Sequence, residues 1–149
     1  MRVPLATGES LFGRFEFLDL IAAQGADIIQ PDVCICGGLL EMRKIAAIAE
    51  AHYVSVAPHN PMGPISTAVN VHFAAASHNF TILEYYLPTD ADWADWVDEP
   101  YVPKDGYLEI RPDRPGLGIE VNEEAISGHD FIHWQRTCPL RPDGSTGYI

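Results

Sequence analysis

Four ionisable residues recur at a near-constant interval through the first half of the chain, each just past a short apolar run. Glu9 follows Val3–Gly8, Asp32 follows Ala26–Pro31, His59 follows Val54–Pro58 and Glu84 follows Phe80–Leu83, at intervals of 23, 27 and 25 residues. Helical patterns fill the space between them. Strands alternating with helices at this period imply right-handed crossovers and a parallel sheet. All strand C-termini of such a sheet lie on one side, so the four residues are expected to converge there. That is the face on which (β/α)₈ barrels carry their chemistry. Taken alone, His59 reads equally well as a residue that caps a loop. Its three companions at the same place in the same kind of unit give it a different meaning.

In chain order, Val3–Ala6 reads as a first strand, and Phe12–Gln24 as a helix with Phe17, Leu20 and Ile21 on one stripe. Gly25 is placed to stop that helix. A second strand leads to Asp32, and Gly37-Gly38 precede the clearest helical pattern, Leu39–His52. There Met42, Ile45, Ala46 and Ala49 have core spacing, while Glu41, Arg43, Lys44 and Glu50 are expected to be a solvated face. The third strand ends at His59, where Pro58, Pro61, Gly63 and Pro64 forbid its continuation. A small, alanine-rich helix follows over Ser66–Ala76. His72 and His78 have no carboxylate at ligand spacing and read as structural or exposed.

The alternation stops after Glu84. Tyr85–Trp96 begins an acidic, aromatic excursion with Asp90, Asp92, Asp95 and Asp98 interleaved with Trp93 and Trp96, and the tryptophans are expected to pack on neighbouring structure. Proline-rich turns follow, with short strands expected at Tyr107–Ile110 and Leu117–Val121. His129 and His133 have i,i+4 spacing but no third metal ligand beside them.

Composition narrows the classes of partner. The formal net charge is −12 over 149 residues and the carboxylates are spread out, which argues against nucleic acid and anionic membrane surfaces. No apolar stretch is long enough to span a bilayer, and Met1-Arg2-Val3-Pro4 lacks the apolar centre of a signal peptide. Cys34, Cys36 and Cys138 are odd in number and unpaired in spacing, so they read as buried or loop thiols in a reducing cytoplasm.

Several motifs together resemble one family. Ala6-Thr7-Gly8-Glu9, Gln30-Pro31-Asp32 with Gly37-Gly38, His59-Asn60-Pro61-x-Gly63-Pro64 and Leu83-Glu84 are similar to the second half of the mandelate racemase/muconate lactonizing branch of the enolase superfamily. Pro115–Glu120 resembles that branch's C-terminal extension. The His-Asn-Pro-x-Gly-Pro-Ile form and the ending Arg141-Pro142-Asp143-Gly144-Ser145 are most similar to its galactonate dehydratase-like sugar-acid dehydratases.

The resemblance implies an α/β fold: the C-terminal half of a (β/α)₈ barrel, about four βα units over residues 1–86. An irregular extension over 87–149 is expected to pack on a capping domain absent from this chain. It also implies a hydro-lyase that uses Mg²⁺ to remove the proton α to a carboxylate from a small sugar acid, then expels a β-hydroxyl as water. Glu9 is the implied metal ligand, His59 the base, Asp32 its orienting partner and Glu84 the group that hydrogen-bonds the substrate carboxylate. Those roles agree with residue chemistry. Magnesium takes hard oxygen ligands, imidazole titrates near neutrality, and an α-proton needs electrostatic stabilisation of the charge it leaves behind. The family's other metal carboxylates precede the strand ending at Glu9. The chain is therefore expected to be part of a longer or split gene product, or one whose start is misassigned. It is expected to be inactive alone and homo-oligomeric as the complete protein. A racemase, epimerase or cycloisomerase of the same superfamily, and a non-catalytic or partner-binding remnant, stay open.

Overall fold

The computed structural model describes residues 3–86, 93, 95–130 and 140–145. Cys138, His133, Asp90 and Asp92 lie outside the described residues. Three short strands, β1 (Ala6–Thr7), β2 (Ile28–Ile29) and β3 (Ser55–Val56), form a parallel sheet in the order β1-β2-β3. Ala6 pairs with Ile28 and Ile28 with Ser55, one residue of each strand in register with the next. Helices α1 (Gly13–Ala22), α2 (Leu39–Ala51) and α3 (Pro64–Ala75) alternate with the strands. This is the α/β half-barrel arrangement that the repeating units imply.

The fourth expected strand is present only in reduced form. Phe80 makes a single parallel bridge with Val56. Val56 N–H donates to the Asn79 carbonyl at 2.9 Å, and Thr81 N–H donates to the Val56 carbonyl at 3.0 Å. The run follows β3 for one step and then departs. Asn79 secures its start, because its side-chain amide donates to the carbonyls of Ala46 and Val54.

Helical stripes cover the sheet as their 3.6-residue spacing requires. Phe17 and Ile21 of α1, Met42, Ile45, Ala46 and Ala49 of α2, and Phe73 of α3 form one buried cluster with Ile29 and Val56. Burying a side chain the size of Phe17 contributes up to about 3 kcal/mol. Pro64 occupies the first turn of α3, where its missing N–H costs nothing.

Two local expectations need correction. Gly25 does not itself take the left-handed conformation that ends α1; Gln24 does, with φ 51°. Gln24 N–H donates to the Ile21 carbonyl and Gly25 N–H to the Leu20 carbonyl, the paired bonds of a Schellman stop. A Cβ on Gly25 would stand 2.8 Å from Leu20 Cδ1, the end of a flexible side chain that would have to shift. Glu41 is not a solvated face residue either. It accepts the Arg14 backbone N–H at 2.9 Å and both its oxygens bond the Arg14 guanidinium, tying α2 to the start of α1. Those bonds, led by the backbone N–H, hold its carboxyl below the usual range.

Beyond Glu84 the fold changes character. Tyr107–Ile110 and Leu117–Val121 do not form the expected strands; each is reduced to an isolated antiparallel bridge, Lys104 with Tyr107 and Val97 with Val121. The nearby prolines 103, 112 and 115 interrupt any longer ladder. Leu108, Leu117 and Ile119 instead pack around Ala68, Val71 and Tyr101, so this region rests on the outer side of α3. A five-residue helix, α4 (Glu123–Ser127), starts at Asn122, whose side chain accepts the Ala125 N–H. Trp93 and Trp96 stack on each other with centroids 6.1 Å apart, and Trp96 meets the His129 ring edge-on at 6.0 Å. No helix among the described residues is long and apolar enough to cross a membrane.

Candidate active site

Glu9, Asp32, His59 and Glu84 all stand past the C-terminal ends of β1, β2, β3 and the run at Phe80, and the parallel sheet brings them together. His59 is the centre. Its Nδ1 lies 2.8 Å from Asp32 Oδ2, its Nε2 3.5 Å from Glu9 Oε2 and 4.0 Å from Glu84 Oε2. Asp32 is thus the nearest of the three carboxylates to the ring.

The burial of these groups is graded. Asp32 is completely buried, the His59 side chain is 18% exposed, and those of Glu9 and Glu84 are 49% and 48% exposed. A buried carboxylate persists only if its oxygens are satisfied, and Asp32 meets that condition twice. Oδ2 accepts from the His59 ring, while Oδ1 accepts the Cys34 N–H at 2.7 Å. The Asp32 backbone carbonyl takes the N–H groups of Ile35 and Cys36, closing the turn that leads to Gly37-Gly38. One residue therefore shapes the loop and orients the imidazole. An ionised carboxylate is an acceptor only, so Nδ1 carries the proton of this bond and Nε2 is the ring nitrogen left for other partners. That nitrogen faces Glu9 and Glu84 at the open mouth of the sheet.

Backbone geometry holds Glu9 in place. Gly8 has φ 124°, and a Cβ there would stand 2.8 Å from the Phe17 ring. Only glycine lets the chain pass over α1 and turn Glu9 toward the site. The thiols beside Asp32 are poorly suited to nucleophilic work. Burial, reinforced by the Asp32 charge, pushes Cys36 up to about 11 and raises Cys34. Both are free thiols, Cys36 buried and Cys34 exposed.

Asn60 belongs to the site as well and does not stand out by spacing or charge. Its backbone N–H donates to Glu84 Oε2 at 3.0 Å. Its fully buried side chain donates to the Glu84 carbonyl and to Thr67 Oγ1, and accepts from Ser66 Oγ and Asn70 Nδ2. The sequence signal is indirect: Ser66, Thr67 and Asn70 are polar residues on the buried face of an otherwise apolar helix.

Among the described residues no three His, Cys, Asp or Glu side chains are grouped as a metal centre. Glu9 is half-exposed at the mouth and offers hard oxygen atoms. It fits a single share of a magnesium shell, an ion commonly held by one or two carboxylates with water and substrate.

Residues 1–125 match a known family, enolase C-terminal domain-like. The chain is 42% identical over 151 aligned residues to D-galactonate dehydratase from Xanthomonas campestris pv. campestris (strain B100), covering 96% of this chain and 39% of that protein. It is 39% identical to D-galactonate dehydratase from Verminephrobacter eiseniae, with the same coverage. Among solved structures, an enolase from Agrobacterium radiobacter, provisionally named a galactarate dehydratase and bound to sodium and L-malate, is 55% identical. It superposes with a TM-score of 0.87 over 98% of this chain and 40% of its own. A mandelate racemase/muconate lactonizing protein from Labrenzia alexandrii, also provisionally named, has 35% identity and a TM-score of 0.76 over 88% of this chain and 34% of its own. The chain thus spans about two fifths of the length of the curated relatives it matches.

Proposed function

We propose, on the premise that this chain belongs to the enolase C-terminal domain-like family, in the mandelate racemase/muconate lactonizing branch of the enolase superfamily, that it is the base-bearing part of a sugar-acid dehydratase. The observation that carries the reading is the state of His59. Its Nδ1 is fixed by a buried carboxylate and its Nε2 faces two half-exposed carboxylates at an open mouth. Similarity to D-galactonate dehydratases supports an aldonate substrate. The higher identity to the Agrobacterium protein favours a second class, the six-carbon aldaric diacids.

In this mechanism His59 Nε2 takes the proton from C2, α to the substrate carboxylate. Asp32 holds the ring in the required tautomer and stabilises the imidazolium that forms. The C3–O bond then breaks, and the protonated ring returns its proton to the departing hydroxyl. Water leaves, and the enol relaxes to a 2-keto-3-deoxy acid. Glu84 contributes a hydrogen bond to the substrate carboxylate, and Glu9 supplies one ligand to a divalent cation, magnesium by donor chemistry. When bound, that cation supplies positive charge where negative charge develops on the substrate carboxylate. Glu9 fills one place of such a site, and this reading assigns further ligands to the part of the longer relatives that the chain does not span. The region beyond Glu84 is assigned to packing against a capping domain.

Two measurements test the reading. Joined to the missing portion of a family barrel, the chain should dehydrate an aldonate or aldarate at roughly 1 s⁻¹ or faster, whereas the chain alone should give no 2-keto-3-deoxy product. In the joined enzyme, His59→Asn should cut solvent-deuterium incorporation at C2 by about 10²–10⁴-fold. Undiminished exchange in that variant would falsify the base assignment.

A further inference from the structure

Glu84 reaches the site under a constraint that its own strand does not supply. The run carrying it pairs with β3 for one step only, at Phe80, so the ladder ends well before residue 84. What holds Glu84 instead is Asn60, the residue after the base. Asn60 N–H donates to Glu84 Oε2 and its side-chain amide donates to the Glu84 carbonyl, both at 3.0 Å. The same side chain is anchored to the first turns of α3 through Ser66, Thr67 and Asn70. Every polar atom of this buried amide is used, and a buried polar group so fully satisfied is rigid.

We propose that Asn60 is a positioning residue that locks Glu84 Oε2 as an acceptor, so that Glu84 meets the substrate carboxylate through Oε1. This rests on the dehydratase reading for its meaning but not for its test. An oxygen that accepts a backbone N–H is the poor place for a carboxyl proton, and Oε2 also faces His59 Nε2 at 4.0 Å. A proton that Glu84 shares with a substrate carboxylate therefore belongs on Oε1. The arrangement keeps two proton-carrying groups 4.0 Å apart from exchanging roles.

The test is hydrogen exchange of the chain at micromolar concentration, read by mass spectrometry without ligand. A peptide spanning 57–64 contains few amides, because Pro58, Pro61 and Pro64 have none. Of those of His59, Asn60, Met62 and Gly63, the Asn60 amide is the protected one, through Glu84. Asn60→Asp keeps the acceptor for Ser66 and Asn70 and removes both donors. It should speed that amide about tenfold while a peptide from α2 changes by less than about twofold. Glu84→Gln exchanges a charged acceptor for a neutral one and should speed the same amide about fivefold. Thr67→Val, which removes one of the three anchors to α3 and the Thr67 bond to the Gly63 carbonyl but neither bond to Glu84, should leave it unchanged. If both peptides accelerate together, if Thr67→Val matches Asn60→Asp, or if Glu84→Gln has no effect, the proposal is overturned. Should Asn60→Asp fail to fold, Glu84→Gln decides, since its side chain is half-exposed. The expected exchange in the chain, together with no dehydratase activity in the joined enzyme, would sink the function and leave this link standing.

Discussion

The βα units up to Glu84 and the region from Asp95 to Asp130 are built on different principles. The first is a sheet and three helices around a continuous apolar cluster centred on Phe17, Met42, Ile45 and Phe73. The second has no strand longer than a bridge among its described residues and a small cluster borrowed partly from α3. Its framework is side chain to backbone. Arg111 donates to the carbonyls of Glu99, Pro100 and Gly118 and lies over the Tyr101 ring at 4.3 Å. Asp98 accepts the N–H groups of Glu99 and Glu120 and pairs with Arg114. Non-directional burial holds the part that carries the candidate site, while directional polar bonds hold the part that follows it. The two should therefore fail under different insults.

The largest expected effect is on the first region. Phe17→Ala empties the centre of the cluster and should cost about 3–5 kcal/mol in denaturant unfolding. It should remove the transitions of α1, α2 and the sheet together. If α2 stayed protected while α1 melted, the idea of one shared core would be broken. Next is Arg111→Met, which keeps the aliphatic stem and removes three bonds to backbone carbonyls. A loss of about 1–3 kcal/mol is expected, confined to faster hydrogen exchange over 97–121. Equal acceleration in α2 would mean that the regions are not separable.

The smallest effect comes from acid. The Glu120 N–H, with Arg114 beside it, draws the Asp98 carboxyl down to about 2. A carboxyl depressed in the folded state stabilises above its ordinary value near 4. That contribution fades as pH falls from about 4 and is gone below about 2. Exchange over 97–121 should quicken across this window ahead of α2, and Asp98→Asn should flatten the profile. A profile unchanged by that substitution would show that Asp98 is not what ties Glu120 to the loop.

The same division explains what could be read from sequence. Apolar periodicity reports burial, so α1, α2, α3 and the four converging residues were legible from spacing alone. Polar networks have no period. Glu41 looks like a surface residue until Arg14, 27 positions away, is known to reach it. Asn60 looks like a turn residue until Ser66, Thr67, Asn70 and Glu84 close around it. The strands expected at Tyr107–Ile110 and Leu117–Val121 failed because alternation states a preference for an extended chain and not the presence of a partner. The helix stop expected at Gly25 is shared: Gln24 takes the left-handed turn and Gly25 N–H closes it on the Leu20 carbonyl.

Asp32 bears on how such a site could decay. Its side chain and carbonyl together close the Asp32–Cys36 turn, and the same carboxylate aims His59. On the proposed reading, loss of His59 would silence the chemistry and leave that turn intact; loss of Asp32 would damage both. In a copy released from selection for catalysis but still required to fold, the proposed base is the residue free to drift and its partner is the one retained. The trace of a lapsed enzyme on this scaffold would be an aspartate that still holds its loop beside a vacant place for the imidazole.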